Sequence, residues 1–284
     1  MDIKAWNAKS ESFNFKKAKI NYVRAGKGAA LVLIHGFPTS SWDFSWIFPE
    51  LIKKFDCICA DLIGLGRSST SAKTITIADQ ADALEALLKK LGISQAHLFA
   101  HDLGDTVATE LLYRSQQGNQ DLQWLSCTLM NGGVFQETNK PRYIQKLLNS
   151  PIGFLIGRFS SKHIYVKTII KIFGKNTPPS AEFLNDSWNI FMENKGRKML
   201  PIVGRYLTER KIHKARWEQP LFSPSLPMAM INGVWDPISG EATADRFEEK
   251  VSGSYVVRLP LGHYPHIENP KAVLDAFYAF HARL

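Results

Sequence analysis

Apolar residues in this chain gather in short runs divided by turn residues, and two spacings alternate along it. Leu31 to Ile34, Asp56 to Ala60, Ala96 to Ala100, Ser126 to Asn131, Met228 to Asn232 and Tyr255 to Leu259 have strand length and few charges. Phe13 to Phe15 and Ile20 to Arg24 read as a hairpin pair ahead of them. Between these runs a helical spacing takes over at Phe44 to Ile52, Ile77 to Leu91, Leu103 to Arg114 and Ala272 to Arg283. After Asn131-Gly132-Gly133 the strand pattern stops, and the stretch to about Leu221 reads as helices separated by Pro and Gly. Alternating β and α with one insert predicts the α/β class. The expected architecture is a mostly parallel eight-stranded sheet flanked by helices, its core in residues 1–132 and 223–284, with a helical cap in 133–222.

One junction carries most of the chemistry. In Leu98-Phe99-Ala100-His101-Asp102-Leu103-Gly104 an apolar strand runs straight into a helix, with small residues two before and two after Asp102. Small residues there let strand and helix approach while the central residue is forced out on a strained turn. Asp102 could simply cap the helix. It could also be a nucleophile, because a carboxylate in that position attacks carbon and forms an ester with the protein. Hydrolysis of such an ester needs a His to activate water and an acid to orient that His. Asp236, in Gly233-Val234-Trp235-Asp236-Pro237, turns off the end of a strand, where open α/β sheets place their sites. His263 follows the last strand and its Gly in Pro260-Leu261-Gly262-His263. The order nucleophile, acid, base favours catalysis over a mere cap. His266 is the rival base and reads as structural. His35 and His101 read as hydrogen bonders that fix turns, and Asp61 as structural. Asp105 is either a first-turn acid favoured by the helix dipole or a hydrogen bonder near the junction. In Leu31 to Pro38 a buried strand enters a Gly-containing turn, and its resemblance to the loop that offers a backbone N–H to the oxyanion in α/β-hydrolases implies Phe37 and Leu103 as the pair of donors.

These residues resemble the nucleophile elbow and triad of α/β-hydrolases, in the epoxide hydrolase and haloalkane dehalogenase branch. His35-Gly36-Phe37-Pro38 is similar to the HGxP motif of epoxide hydrolases, and His101-Asp102-Leu103-Gly104 to their HDxG elbow. The closer resemblance is to the mesoderm-specific transcript (MEST-like) hydrolases. It runs through His35 to Ser41, His101 to Asp105 with Glu110 to Arg114, and Asn131 to Thr138, and by pattern covers about Tyr22 to Phe280. The resemblance implies a hydrolase without cofactor, acting on an apolar or lipid-like small molecule. It also implies a cap tyrosine as the acid that protonates the leaving oxygen. Tyr206 is the first candidate, Tyr143 the second, and Tyr165 is also available. Dehalogenases place side-chain N–H groups around the halide, usually a Trp after the nucleophile and an Asn in the loop. Here those positions are Leu103 and Phe37, whose side chains cannot donate. Fluoroacetate dehalogenases use an Arg after the nucleophile, and Leu103 cannot replace it. Dehalogenation is therefore a secondary reading, beside a β-lactone-opening enzyme and a silent binding protein of the same fold.

Bulk properties narrow the picture further. The 284 residues are 45% hydrophobic, enough for a large core, and neither a secretory signal nor a membrane-spanning apolar stretch is recognisable. Cys57 and Cys59 lie two apart on one strand face and read, with the third cysteine, as reduced residues, so a cytoplasmic location is expected. No metal-ligand spacing is visible. Residues 133–222 hold 16 Lys and Arg against 6 Asp and Glu, so the net charge of +9 sits in the insert. No nucleic-acid motif accompanies it. His163 to Lys175 carries Lys167 and Lys171 among Ile, Val, Tyr and Phe. Such a helix is compatible with peripheral membrane contact. The preferred reading is a helix packed over the site with solvated lysines.

Overall fold

The computed structural model describes residues 1–118, 122–150 and 152–284. Its strands are β1 (Ser10–Phe15), β2 (Ala18–Ala25), β3 (Ala29–Ile34), β4 (Phe55–Ala60), β5 (Ser69–Thr70), β6 (Gln95–His101), β7 (Gln123–Met130), β8 (Met228–Gly233) and β9 (Tyr255–Leu259). They form one sheet in the order β1-β2-β4-β3-β6-β7-β8-β9, with β5 on β2. β2 pairs antiparallel with β1, β4 and β5, and every other pairing is parallel. The eight expected strands are present, and the two-residue β5 lies in the loop after β4, too short to show as an apolar run.

Parallel register turns distance in sequence into adjacency in space. Ile34 of β3 lies opposite Ala100 of β6, and His101 lies opposite Met130 of β7. Gly233 of β8 lies opposite Leu259 of β9. The segments that leave these strands therefore emerge along one edge of the sheet. They carry His35 to Pro38, Asp102, Asn131, Asp236 and His263. The sheet beneath them is dry: Leu31, Val32, Leu33, Leu98, Phe99, Leu129 and Ile231 are fully buried. Phe99 stacks on Phe277 of the Pro270–His281 helix at 4.9 Å between ring centres. On the opposite flank, the Ile77–Lys90 helix starts on a Thr76/Asp79 capping box and buries Ile77, Ala81, Leu84 and Leu88 at helical spacing.

The helix expected over Phe44 to Ile52 is divided. Ser41–Trp46 is a 3₁₀ helix and Phe48–Leu51 a single α turn. Pro49 explains the break, since it has no N–H to continue an earlier turn and is tolerated only where a helix begins.

Between β7 and β8 the described residues form the helices Tyr143–Leu148, Gly153–Arg158, Lys162–Ile170, Ala181–Glu193, Gly196–Val203, Tyr206–Ile212 and Lys214–Phe222. The last of these lies on the Leu103–Gln116 helix of the core. Arg216 and Trp217 donate to the buried Glu110 at 2.7–2.8 Å, and Arg114 donates to the same carboxylate. All three cysteines are buried and form no disulfide.

Candidate active site

The Ala96-to-Asp102 segment leads β6 directly into the Leu103–Gln116 helix, and the turn between them is one residue wide. Asp102 sits at φ 51° and ψ −109°, a conformation an ordinary side chain avoids. The close approach explains Gly104, because a Cβ there would lie 2.1 Å from the Ile34 carbonyl oxygen. The Asp102 side chain is 3% exposed and accepts the Phe37 N–H on Oδ2 at 2.8 Å. Leu103 N–H is the first amide of the helix, so it has no acceptor within the helix. The Phe37 N–H thus faces the carboxylate, and the Leu103 N–H adjoins it in the chain. No described residue donates to Asp102 Oδ1, which leaves one oxygen held and one available.

His263 and Asp236 are brought together as the order of motifs predicts. His263 Nδ1–H donates to Asp236 Oδ2 at 2.8 Å, which leaves Nε2 as the basic nitrogen. Burial opposes a charge on His263, but the Asp236 carboxylate and the charge of Asp102 overcome it and raise the imidazole to about 9. Asp236 is itself held low: burial pushes it up, and His263, the Ile238 N–H and the Asn131 amide outweigh that. His101 Nε2–H donates to the His263 carbonyl, and the His263 N–H donates to the Ile172 carbonyl, both at 2.8 Å. His35 bridges the Gly36 carbonyl and the Leu62 N–H. Both histidines fix turns, as expected. Asp61 is structural too, accepting from Ser41 N, Arg67 N and Asn21 Nδ2.

His266 is not placed to serve as the base. It stacks on Phe44 at 5.2 Å between ring centres, with His101 beside it, and both its nitrogens lack partners. Burial, with the neighbouring charge of His263, pushes it down to about 3. Asp43, His101 and His266 have ligand atoms within 4.8 Å of one another, a grouping no sequence spacing could show. Burial raises Asp43 to about 8 and holds His101 well below its ordinary value.

Two tyrosines of the insert approach the site and one does not. Tyr206 is buried, its ring 5.7 Å from that of Phe37, with Gln145 beside its hydroxyl. Burial and then the charge of Asp102 raise its phenol, which places it within electrostatic reach of the carboxylate. Tyr165 lines the cavity, and its buried hydroxyl lacks a partner. Asp43, rather than Asp102, is the acid that acts on it. Tyr143 is 76% exposed, and its neighbours Ile144 and Gln145 take the inward positions on that helix turn. The structure does not bring Tyr143 to the site.

A cavity open to solvent reaches His263, and its lining includes none of Asp102, Asp236 and Tyr206. His263, Phe37, Pro38 and Ile238 line it together with Ile144, Leu148, Ile164, Ile169, Ile172 and Leu200. Arg142, Gln145, Ser160 and Thr168 are its polar points besides Tyr165. That composition suits a small, mostly apolar ligand.

Three further side chains position the site without having stood out in the sequence. Asn131, at φ 50°, holds Asp236 Oδ2 and both backbone groups of Gly233. An Asn before Gly-Gly at a strand end is the available signal, since Asn tolerates that backbone. Glu268 accepts from Gly262 N, Tyr264 N, Gly174 N and Thr177 Oγ1, joining the His263 loop to the insert. Arg210 reaches from the insert to Thr106 Oγ1 at 2.7 Å and the Asp102 carbonyl at 3.3 Å, and lies 4.8 Å from the Tyr206 ring centre. Asp105, buried beside them, accepts the Met130 N–H, so it bonds near the elbow. Arg210→Met should lower stability by about 3 kcal/mol in urea denaturation, because it leaves the buried Thr106 hydroxyl and Asp102 carbonyl without their donor. Arg210→Lys should restore less than half, lacking the planar fork that serves two acceptors.

The alpha/beta hydrolase fold family model matches residues 29–270. The chain belongs to that family. This alpha/beta hydrolase is 34% identical to the mesoderm-specific transcript homolog protein of Bos taurus, over 97% of its own length and 87% of the relative's. It is 31% identical to LipZ of Mycobacterium tuberculosis, over 90% of each chain. Its fold is similar to that of a loop variant of the haloalkane dehalogenase DbeA from Bradyrhizobium elkanii, with a TM-score of 0.80 at 20% identity over 96% of this chain and 97% of that one.

Proposed function

We propose that this alpha/beta hydrolase opens epoxides of apolar or lipid-like small molecules through an ester on Asp102. The observation that carries the reading is the Asp102 carboxylate itself, strained on the elbow, with Oδ2 on the Phe37 amide and Oδ1 unengaged. In the first step Oδ1 attacks an epoxide carbon and the ring C–O bond breaks. The electron pair goes to the ring oxygen, which takes a proton from Tyr206. In the second step His263 Nε2 takes a proton from water as the water attacks the ester carbonyl, and Asp236 stabilises the resulting imidazolium. Phe37 and Leu103 N–H groups hold the tetrahedral oxyanion. Before this second step the proton that His263 carries at rest passes through solvent to the Tyr206 phenolate, so that collapse releases the diol and restores the Asp102 carboxylate, the Tyr206 phenol and the imidazolium. No cofactor enters these steps.

An oxygen leaving group fits the residues better than a halide, because neither Leu103 nor Phe37 has a side-chain donor. The test is a turnover screen over epoxides, haloalkanes, β-lactones and simple esters, with Asp102→Ala as the blank. Single turnover in ¹⁸O-water should place the label in Asp102 rather than in the first diol released. Label entering the product directly, or halide release as the main activity, would overturn the reading. Tyr206→Phe should slow ester formation roughly tenfold or more, the scale of a lost general acid, and leave ester breakdown nearly unchanged. Stopped-flow separation of the two phases measures this.

A further inference from the structure

Between Tyr143 and Lys171 the insert exposes large apolar side chains and, among the described residues, cations without carboxylate partners. Phe154 is 63% and Phe159 72% exposed, with Tyr143, Ile152, Leu155 and Ile164 also out in solvent. Single exposed hydrophobic residues are ordinary, but a cluster of large ones marks an interaction surface. Residues 138–181 hold eight Lys and Arg and no Asp or Glu. Lys146, Arg158, Lys167 and Lys171 are exposed, and none has a carboxylate partner among the described residues. Elsewhere Arg24, Arg114, Arg216 and Arg258 are all ion-paired. This stretch adjoins the cavity mouth: Ile164 is both exposed and part of the cavity wall, and Phe159 precedes Ser160, which also lines it.

We propose that this stretch docks on the surface of an anionic phospholipid bilayer, with the cavity mouth turned toward the lipid. Aromatic and aliphatic side chains enter the boundary between headgroups and acyl chains, and the surrounding cations meet the lipid phosphates. The complementary charge selects this occupant, since forty-four consecutive residues without an acid leave the cations free for phosphates. No described helix is long and apolar enough to cross a membrane, so the contact is with the surface. An apolar substrate dissolved in the bilayer then lies beside the cavity mouth.

Flotation of the full chain with vesicles tests the docking directly, independently of whether the hydrolase chemistry is as proposed. The chain should float with vesicles of phosphatidylcholine mixed with phosphatidylglycerol, and much less with phosphatidylcholine alone. High salt should weaken the association. The double variants Phe154→Ser/Phe159→Ser and Lys146→Glu/Arg158→Glu should each reduce the bound fraction roughly tenfold or more. Their melting temperatures and turnover of a dissolved substrate should stay at the parent values. No flotation, equal flotation with both vesicle types, or unchanged flotation of the double variants would overturn the proposal. So would a stable dimer or a protein partner that buries Phe154 and Phe159 and excludes vesicles.

Discussion

His263→Gln should accumulate a covalent adduct on Asp102 when mixed with a turned-over epoxide, visible as the added mass of one substrate in the intact protein. Attack on carbon does not use the base, whereas ester hydrolysis does. Steady-state turnover should fall by roughly a thousandfold, within the range for a lost general base. The electrostatics give the second step a pH signature. The resting imidazole, raised to about 9 by Asp236 and Asp102, is protonated at neutral pH. Esterification removes the Asp102 charge, a smaller influence than Asp236, so the imidazole is lowered in part and must still shed its proton before it can act as base. Ester breakdown should therefore quicken as pH rises and level off below pH 9. The stability sign follows from the same shift: a folded-state value above the ordinary 6.5 gives stabilisation that is complete below pH 6.5 and lost as pH rises through 9. A folded His263→Gln variant that shows no adduct with a substrate the parent turns over would reject the ester mechanism.

The second large effect concerns acid. His266 is buried and held down to about 3, so between pH 6.5 and 3 the unfolded chain binds a proton there that the folded chain does not. Stability from this residue is complete above 6.5 and falls at about 1.4 kcal/mol per pH unit below it. His266→Phe removes the titration while keeping a ring against Phe44. Parent and variant should thus diverge, with the variant gaining about 3 kcal/mol relative to the parent between pH 7 and pH 4. Urea denaturation across that range measures the gap. A gap independent of pH would mean that His266 is not neutral in the folded state.

The strands were legible because a sheet buried beneath its active edge must be apolar almost throughout, and short aliphatic runs such as Leu31 to Ile34 have few other uses. Asp102, Asp236 and His263 were legible because each stands just past a strand end. The remaining site residues act across the insert, where contact depends on how helices cross. Arg210 and Glu268 are surface-type residues in sequence, and only folding turns one onto the elbow and the other beneath the base loop. Tyr206 stood ahead of Tyr143 only by resemblance to the family, since a short helix exposes or buries a tyrosine by a rotation of one position. The His101 and His266 contact joins residues 165 positions apart, beyond any local pattern.

The Glu268 clamp sets a rule for engineering. One carboxylate ties Gly174 and Thr177 of the insert to Gly262 and Tyr264 of the base loop, and the Ile172 carbonyl holds His263 directly. A chimera that exchanges the insert for a relative's would also exchange half of the cradle that aims the imidazole. Transplants cut at residues 133 and 222 would therefore arrive with a misaligned base, whatever the quality of the new pocket. Retaining the native 172–177 segment with Glu268 makes the pocket a replaceable part.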